Sequence, residues 1–527
     1  MGMYVNRGNE SFASARESRI YVDKTGLIEY TNDVLGTEQR YICNSRPRRF
    51  GKSMAAGMLA AYYVKGYDSR ELFEWLKIAG KPSFKKHLNQ YDVIHLDMAY
   101  LLVQNQSAVD TVTFMQTCVI DELKDIYPGV LTDKDQALPF ALSKINNATG
   151  ARFVFIIDEW DAIFREYEMD QQGQQDYVRL LRGLFKGEQS KDYVALAYIT
   201  GILPIKRYSS ESALNNFREF TMLNPKGLSE YIGFTEEEVR ELCKTYHMDF
   251  EETARWYDGY SFRRLKHVYN PNSVVSAMLD GEFDNYWSNT VSYESLREYI
   301  SLNFEGLRDM IVQMFAGARC VVGINTFQND LTNFKNRDDV LIALIHLGYL
   351  AYDADTREAY IPNEEVRTAF ERAVMDTDWK PVVQAIRDSD RLLKATWDKD
   401  ADLVAEGIDK VHRENTSILQ YNNENALSCV VTLAYYNAVN EYTLIREMPT
   451  GKGYADMVFL PRKYSTKPAM VVELKYGQPA QSAVAQIKER KYPEALKDYQ
   501  GKLLLVGISY GKADKKHSCV IEEWEKE

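Results

Sequence analysis

The chain has 527 residues and a mass of 60.8 kDa, with 45% hydrophobic and 27% charged residues and a formal net charge of −12. That length exceeds what one hydrophobic core organises and predicts three or four domains. The ordinary hydrophobic fraction and modest net charge exclude wholesale disorder, and no apolar run approaches the ~18 residues that a membrane-spanning helix needs. Six scattered cysteines form no Cys-x-x-Cys pair, which argues against a disulfide frame or a zinc site. Met1-Gly2-Met3-Tyr4-Val5-Asn6 lacks an apolar signal segment, and Asn6 stands where a myristoylation site wants Ser or Thr. A cytoplasmic protein with no membrane partner is expected. From Arg446 onward basic residues outnumber acidic ones, so an acidic body carries a mildly basic tail. Such a tail permits contact with a polyanion without demanding it.

In chain order, residues 1–228 alternate short apolar runs with helical stretches. Tyr41-Ile42-Cys43 precedes a helix over 54–64, and Val93-Ile94-His95-Leu96 one over 107–126. Phe153–Ile157 and Val194–Ile199 have the length of strands only. Uninterrupted apolar strands between helices predict a parallel sheet buried on both faces. Residues 229–331 read as a helical lid, with Thr235-Glu236-Glu237-Glu238 as an N-cap and acidic first turn. In 332–414 a helix over 338–347, then Tyr349–Tyr352 and Glu358–Ile361 around a turn at 353–357, suggest a winged-helix-like module. A helical connector over 379–408 follows. Residues 415–527 run helix (424–439), hairpin, strand, helix (482–496), strand, with strands at Asp456–Leu460, Met470–Lys475 and Leu503–Ile508. The fold class expected is α/β multidomain: a parallel-sheet core with a helical lid, a winged-helix-like module and a C-terminal α/β domain.

The first chemical pattern is Asn44-Ser45-Arg46-Pro47-Arg48-Arg49-Phe50-Gly51-Lys52-Ser53, between a predicted strand and helix. Glycine lets the backbone approach an anion, and amides at a helix N-terminus point at it. Lys52 would reach β and γ phosphates and the Ser53 hydroxyl would bind Mg²⁺. Arg46 stands where the usual first glycine belongs. The buried run Ile156-Ile157-Asp158-Glu159 supplies the second half: strand alternation points the two acids apart, Asp158 toward Mg²⁺ and Glu159 toward an attacking water. ATP or another nucleoside triphosphate is the expected ligand. Arg48, Arg49, Phe50, Gly51, Lys52, Ser53, Asp158 and Thr200 form the expected nucleotide set. Arg48 and Arg49 either add charge at the phosphates or are simply solvated. Lys206, Arg207 and Arg218 are further candidates to stabilise transition-state charge, including across an interface of a homo-oligomer; ordinary surface exposure is the plainer reading of each.

The second pattern lies in the tail. Gly453-Tyr454-Ala455-Asp456 places an acid where a turn becomes a strand, and Val471-Val472-Glu473-Leu474-Lys475 puts Glu473 and Lys475 on one strand face. Phosphodiester hydrolysis needs a divalent cation, and Asp456 and Glu473 are hard oxygen ligands suited to Mg²⁺ or Mn²⁺. Lys475 can orient water or offset developing charge. Glu424 is a third candidate carboxylate. Gln486 and Arg490, one helical turn apart, and the nearby Tyr492 could touch a nucleic-acid backbone. The plainer alternative is an exposed Glu–Lys pair beside a charged amphipathic helix.

The loop Arg46-Pro47-Arg48-Arg49-Phe50-Gly51-Lys52-Ser53 resembles that of the bacterial AAA-ATPase-like proteins with a C-terminal PD-(D/E)XK nuclease-superfamily domain. Tyr21-Val22-Asp23-Lys24-Thr25, Thr200-Gly201-Ile202-Leu203-Pro204-Ile205-Lys206 and Trp256-Tyr257-Asp258-Gly259-Tyr260-Ser261-Phe262 are similar to other signatures of that family. So are Gly453-Tyr454-Ala455-Asp456, Glu473-Leu474-Lys475, Gln486-Ile487 and Tyr492. The resemblance implies a P-loop ATPase core with a lid, a middle module and a restriction-endonuclease-like domain, with Asp456, Glu473 and Lys475 in the nuclease positions. It shares the missing first glycine. The expected function is an ATP-regulated, metal-dependent endonuclease, with nucleic acid as partner and DNA favoured. The alternative is a nucleotide-dependent molecular switch whose C-terminal domain binds nucleic acid or protein without cleaving.

Overall fold

The computed structural model describes residues 2–205, 207–208, 211–212, 214–287, 293–302, 304–324, 327–331, 333–377, 379–414, 424–450, 453–462, 465–490, 496, 499 and 501–524. They cluster into two compact units: Met1–Ser292 with Val321–Thr368, and Tyr293–Cys320 with Ala369–Glu527. Among the described residues no helix is long and apolar enough to cross a membrane.

The first unit is built on β1 (Tyr41–Ser45), β2 (Asp92–Asp97), β3 (Phe153–Asp158), β4 (Val194–Gly201) and β5 (Arg218–Phe220), in the order β2-β3-β4-β1-β5. All four pairings are parallel. Every residue of β1, β3 and β4 is buried, which is what helices on both faces of a parallel sheet produce. β1 therefore ends between β4 and β5, and the chain enters α1 (Lys52–Tyr63) at the carboxyl edge of the sheet, where open α/β sheets take their ligands. The fifth strand, Arg218–Phe220, has no apolar run to betray it, since Arg218 is exposed and only Phe220 is fully buried.

The lid region opens with Thr235 capping α2 (Glu236–Tyr246), and Glu238 reciprocates on the Thr235 amide, completing the expected capping box. A small antiparallel sheet joins β6 (Phe234–Thr235), β7 (Tyr260–Phe262) and β8 (Leu265–Tyr269) in the order β6-β8-β7. Further along the chain, after the helix Pro271–Asp280 and others, come α3 (Arg337–Leu347) and the hairpin β9 (Ala351–Asp353)–β10 (Glu358–Tyr360), paired Ala351 to Tyr360 and Asp353 to Glu358.

In the second unit the helical stretch after Trp379 is two helices, α4 (Lys380–Trp397) and α5 (Ala401–Glu414), parted at Lys399, whose φ is +62°. α6 (Glu424–Ala434) precedes a mixed sheet of β11 (Tyr442–Thr450), β12 (Gly453–Pro461), β13 (Ala469–Tyr476), β14 (Leu503–Tyr510) and β15 (His517–Trp524), in that order. Only β13 and β14 run parallel, and α7 (Ala480–Glu489) makes their crossover. β15 escapes a sequence reading because, as an edge strand, it is mostly half-exposed and interrupts its apolar residues with Ser518, Glu522 and Glu523.

Candidate functional site

The phosphate loop begins with an arginine that works as a clamp. Arg46 is fully buried; its guanidinium donates to the carbonyls of Ser45 (2.8 Å), Phe220 (3.2 Å) and Leu228 (3.5 Å), and its amide to Gly201 (3.0 Å). Burial holds its pKa down at about 10. A glycine here would free the loop; Arg46 ties it to β1, to the end of β5 and to the segment before the lid. Phe50 is also buried, edge-on to Tyr260 with ring centroids 5.2 Å apart. Arg48 and Arg49 are exposed. Gly51 caps α1 at φ +88°, a left-handed position that only glycine takes without strain.

Lys52 is buried at the start of α1 and donates to the Pro47 carbonyl at 2.8 Å. Desolvation pulls its pKa down, while Glu159, Asp158 and Asp161 oppose that. Ser53 donates to Asp158, whose own pKa burial pushes up to about 6. Lys52, Ser53 and Asp158 are thus gathered at one point, as an anion with a divalent cation requires. Glu159 departs from the expected alternation. β3 ends at Asp158, and Glu159 takes a left-handed φ of +49°, so the period-two rule no longer applies to it. Its carboxylate receives Arg165 at 2.5 Å, and Arg165 also holds the fully buried Asp161 at 3.1 Å. Asp161 accepts the Ile202 and Leu203 amides as well, at 3.2 and 2.9 Å. Thr200 is buried, and its hydroxyl donates to the Asn44 carbonyl at 2.9 Å. Arg218, exposed in β5, lies 5.6 Å from the Phe220 ring centroid. Arg207 stands in the two-residue strand Arg207–Tyr208, its side chain outside the described residues, as is the whole of Lys206.

Beside this loop lies a cavity of about 340 Å³, which the Tyr21–Thr25 signature helps to line. Tyr21, Val22, Gly51, Met54, Phe234 and Val275 are among its walls. Tyr21 and Val22 owe their place to Asp23, which accepts the Thr25 amide and hydroxyl and the Lys77 amide at 2.7–2.8 Å. Lys24 then reaches Glu238 of the lid at 2.5 Å. An apolar slot abutting a phosphate cradle suits a nucleoside.

In the second unit β12 and β13 pair antiparallel, with Met457 opposite Val472. Just before that pair, Asp456 comes near enough for its charge to act on the Glu473 carboxyl, and like charges on neighbouring strands are destabilising unless something requires them. Asp456 accepts the Leu474 amide at 2.7 Å. Glu473 is 2% exposed; desolvation, and then the Asp456 charge, push its pKa up to about 7. Lys475 donates to its Oε1 at 3.1 Å, and Gln486 from α7 bonds the same oxygen. The other oxygen, Oε2, is buried with no protein partner. Gly507 of β14 allows the close helix: a Cβ there would come within 2.5 Å of the Ala480 carbonyl and 2.9 Å of Val484. Arg490 is exposed just past α7, Glu424 is the first residue of α6 with its side chain outside the described residues, and Tyr492 lies outside them altogether. Among the described residues no group of three or more His, Cys, Asp or Glu side chains gathers to hold a metal. Among the described residues the candidate donors for a hard cation are Asp456 and Glu473. An orphaned buried carboxylate oxygen within reach of the charge of a second acid fits such an ion.

Comparison with known proteins agrees with both halves. Residues 7–209 match the family described as predicted AAA-ATPase, and residues 422–524 match the PD-(D/E)XK nuclease superfamily. The chain carries an AAA-ATPase-like domain followed by a PD-(D/E)XK nuclease-superfamily domain. An "Uncharacterized protein in vnfD 5'region" of Azotobacter chroococcum mcd 1 is 25% identical over 301 residues, 54% of this chain and 53% of that protein. The match thus spans about half the length of that relative. Among solved structures, PCH-2 of C. elegans is similar with a TM-score of 0.23 at 14% identity, covering 47% of this chain and 52% of that one. The Aeropyrum pernix ORC2 protein, in ADPNP–ADP complexes, has a TM-score of 0.28 at 8% identity, covering 70% and 99%.

Proposed function

We propose that the chain is an ATP-binding, metal-dependent DNA endonuclease in which nucleotide binding regulates the C-terminal site. The observation that carries the reading is that Lys475 and the Asp456 charge both act on the Glu473 carboxylate, whose second oxygen is buried without a hydrogen-bond partner. Asp456 and Glu473 would hold Mg²⁺ or Mn²⁺, which supplies Lewis-acid polarisation of a phosphodiester and of water. Lys475, two residues along the same face, neutralises charge that builds on the phosphoryl oxygens. Gln486 fixes the Glu473 carboxylate, and the Leu474 amide fixes that of Asp456.

In the first unit the loop amides after Gly51, with Lys52, would cradle the triphosphate, and Ser53 and Asp158 would hold its Mg²⁺. That divalent ion offsets phosphate charge when bound. Glu159 would orient the attacking water once released from Arg165, and the 340 Å³ slot would take the nucleoside.

The test is full-length protein on plasmid DNA with Mg²⁺ or Mn²⁺, with and without ATP. Nicking or linearisation that disappears in Asp456→Ala and in Lys475→Ala supports the reading. Cleavage that survives the double variant, or nucleotide binding without hydrolysis of DNA or RNA under either metal, overturns it.

A further inference from the structure

A second hollow, of about 710 Å³, opens within the first unit between residues 223–229, the β7–β8 turn at 261–264, residues 321–324 and the tip of the β9–β10 hairpin. Lys226, Arg263, Arg264 and Arg357 line it, and no carboxylate does. On a chain of net charge −12, four cations around one hollow invert the average surface. All four are exposed. Of the neighbouring acids, Asp355 is shared by Lys266 at 3.0 Å and Arg263 at 3.7 Å, and Asp338 accepts the Gly323 amide at 3.0 Å. Among the described residues Lys226, Arg264 and Arg357 make no ion pair.

Two of these cations stand on backbone that disfavours them. Lys226 has φ +48° and Arg357 φ +62°, both left-handed, although Gly227 directly follows Lys226 and could have taken that position. Strain kept at two long basic residues on the rim of one cavity is an outlier that function explains better than packing does. Val321, 66% exposed, and Ile324 add apolar surface between the charges.

We propose that this hollow binds the sugar–phosphate backbone of a nucleic acid strand, using residues of the first unit alone. The inference rests on the reading that the chain acts on nucleic acid, and it names the surface that holds the strand. A small dianion would need buried, converging donors. Four exposed, salt-screened cations on three segments are individually weak, and they gain together only from a ligand with many phosphates, which releases counterions as each is neutralised. The exposed apolar residues match sugar rings between those phosphates.

The experiment uses full-length protein carrying Asp456→Ala, so that binding is read without cleavage. Anisotropy of labelled duplex DNA and of duplex RNA of the same sequence is followed across a salt series. The variant K226Q/R263Q/R264Q/R357Q in that background should bind about tenfold or more weakly near ~0.1 M salt, with a log K against log salt slope shallower by about 2–4. The charge-conserving variant R263K/R264K/R357K should keep the parent slope. Equal affinity and slope for parent and Gln variant would overturn the site and leave the cleavage reading intact. Loss of binding as large in the Lys variant as in the Gln variant would also overturn it, since charge would not be the cause. A parent that binds neither duplex would sink both readings.

Discussion

Around the phosphate loop Lys52, Ser53 and Glu159 are already bonded within the protein, to the Pro47 carbonyl, Asp158 and Arg165. In the C-terminal sheet Glu473 keeps one buried oxygen with no hydrogen-bond partner, within reach of the charge of a second acid. The first arrangement is satisfied as it stands, so a nucleotide bound as proposed would have to exchange existing bonds for new ones, and only the surplus would appear as affinity. The second is pre-organised around a charge deficit, at a standing cost to stability that a bound cation would relieve. A site that is stable when empty suits a regulated step. A site that is costly when empty suits a fixed chemical one.

The largest expected effect breaks the second half. Glu473→Gln keeps shape and hydrogen bonding but removes the buried charge, so cleavage should fall by about 10³-fold while the melting temperature rises by a few degrees. Opposite signs in the nicking assay and in calorimetry are the signature of a functional acid. A drop in both would mean that Glu473 is structural. Asp161→Ala addresses the satisfied half. It strips Arg165 of a buried partner and orphans the Ile202 and Leu203 amides, and it should cost about 3–5 kcal/mol by urea denaturation.

A third buried acid, outside both sites, calibrates the comparison. Glu365 accepts Ser273 Oγ and the Trp287 amide, each at 2.8 Å, and burial pushes its pKa up to about 7 from an ordinary 4.5. A raised carboxylate pKa means that the folded state binds its proton more tightly than the unfolded state. The contribution is whole below pH ~4.5, is lost as pH climbs toward 7, and stays flat above. Over that window the loss is about 3 kcal/mol, and Glu365→Gln should remove that share of the slope, which Asp158 and Glu473 also feed, by stabilising the protein at pH 8. Parallel stability–pH curves for parent and variant would show that this proton is not taken up on folding.

Much of both sites was legible because their residues are local to strands. Gly51-Lys52-Ser53 follows an apolar strand, Asp158 ends another, and Glu473-x-Lys475 is a period-two pattern. The partners that set their state were not. Asp161 and Arg165 are an i,i+4 pair indistinguishable in sequence from any solvated helix pair, and their meaning comes from 0% and 7% exposure. The slot at Tyr21 depends on chain segments more than two hundred residues apart, such as Tyr21 and Val275. Gly507, a lone glycine inside the apolar run Leu503–Ile508, was a usable signal for the close approach of α7.

Thr200 gives the smallest and sharpest contrast. Its position at the end of β4 suggests a polar sensor for the γ phosphate, yet its hydroxyl donates to Asn44 across the β1–β4 pairing. If that bond is its whole role, Thr200→Val loses about 1 kcal/mol of stability and leaves ATP affinity within about twofold, because the isosteric methyl fills the same buried space. A γ-phosphate sensor behaves otherwise: the variant would bind ADP normally and ATP at least about tenfold more weakly, since a lost charge-assisted bond costs nearer 1.5–3 kcal/mol. Calorimetric titration with both nucleotides separates the two. The ADP-normalised ratio decides whether β4 reports on the nucleotide or only carries the sheet.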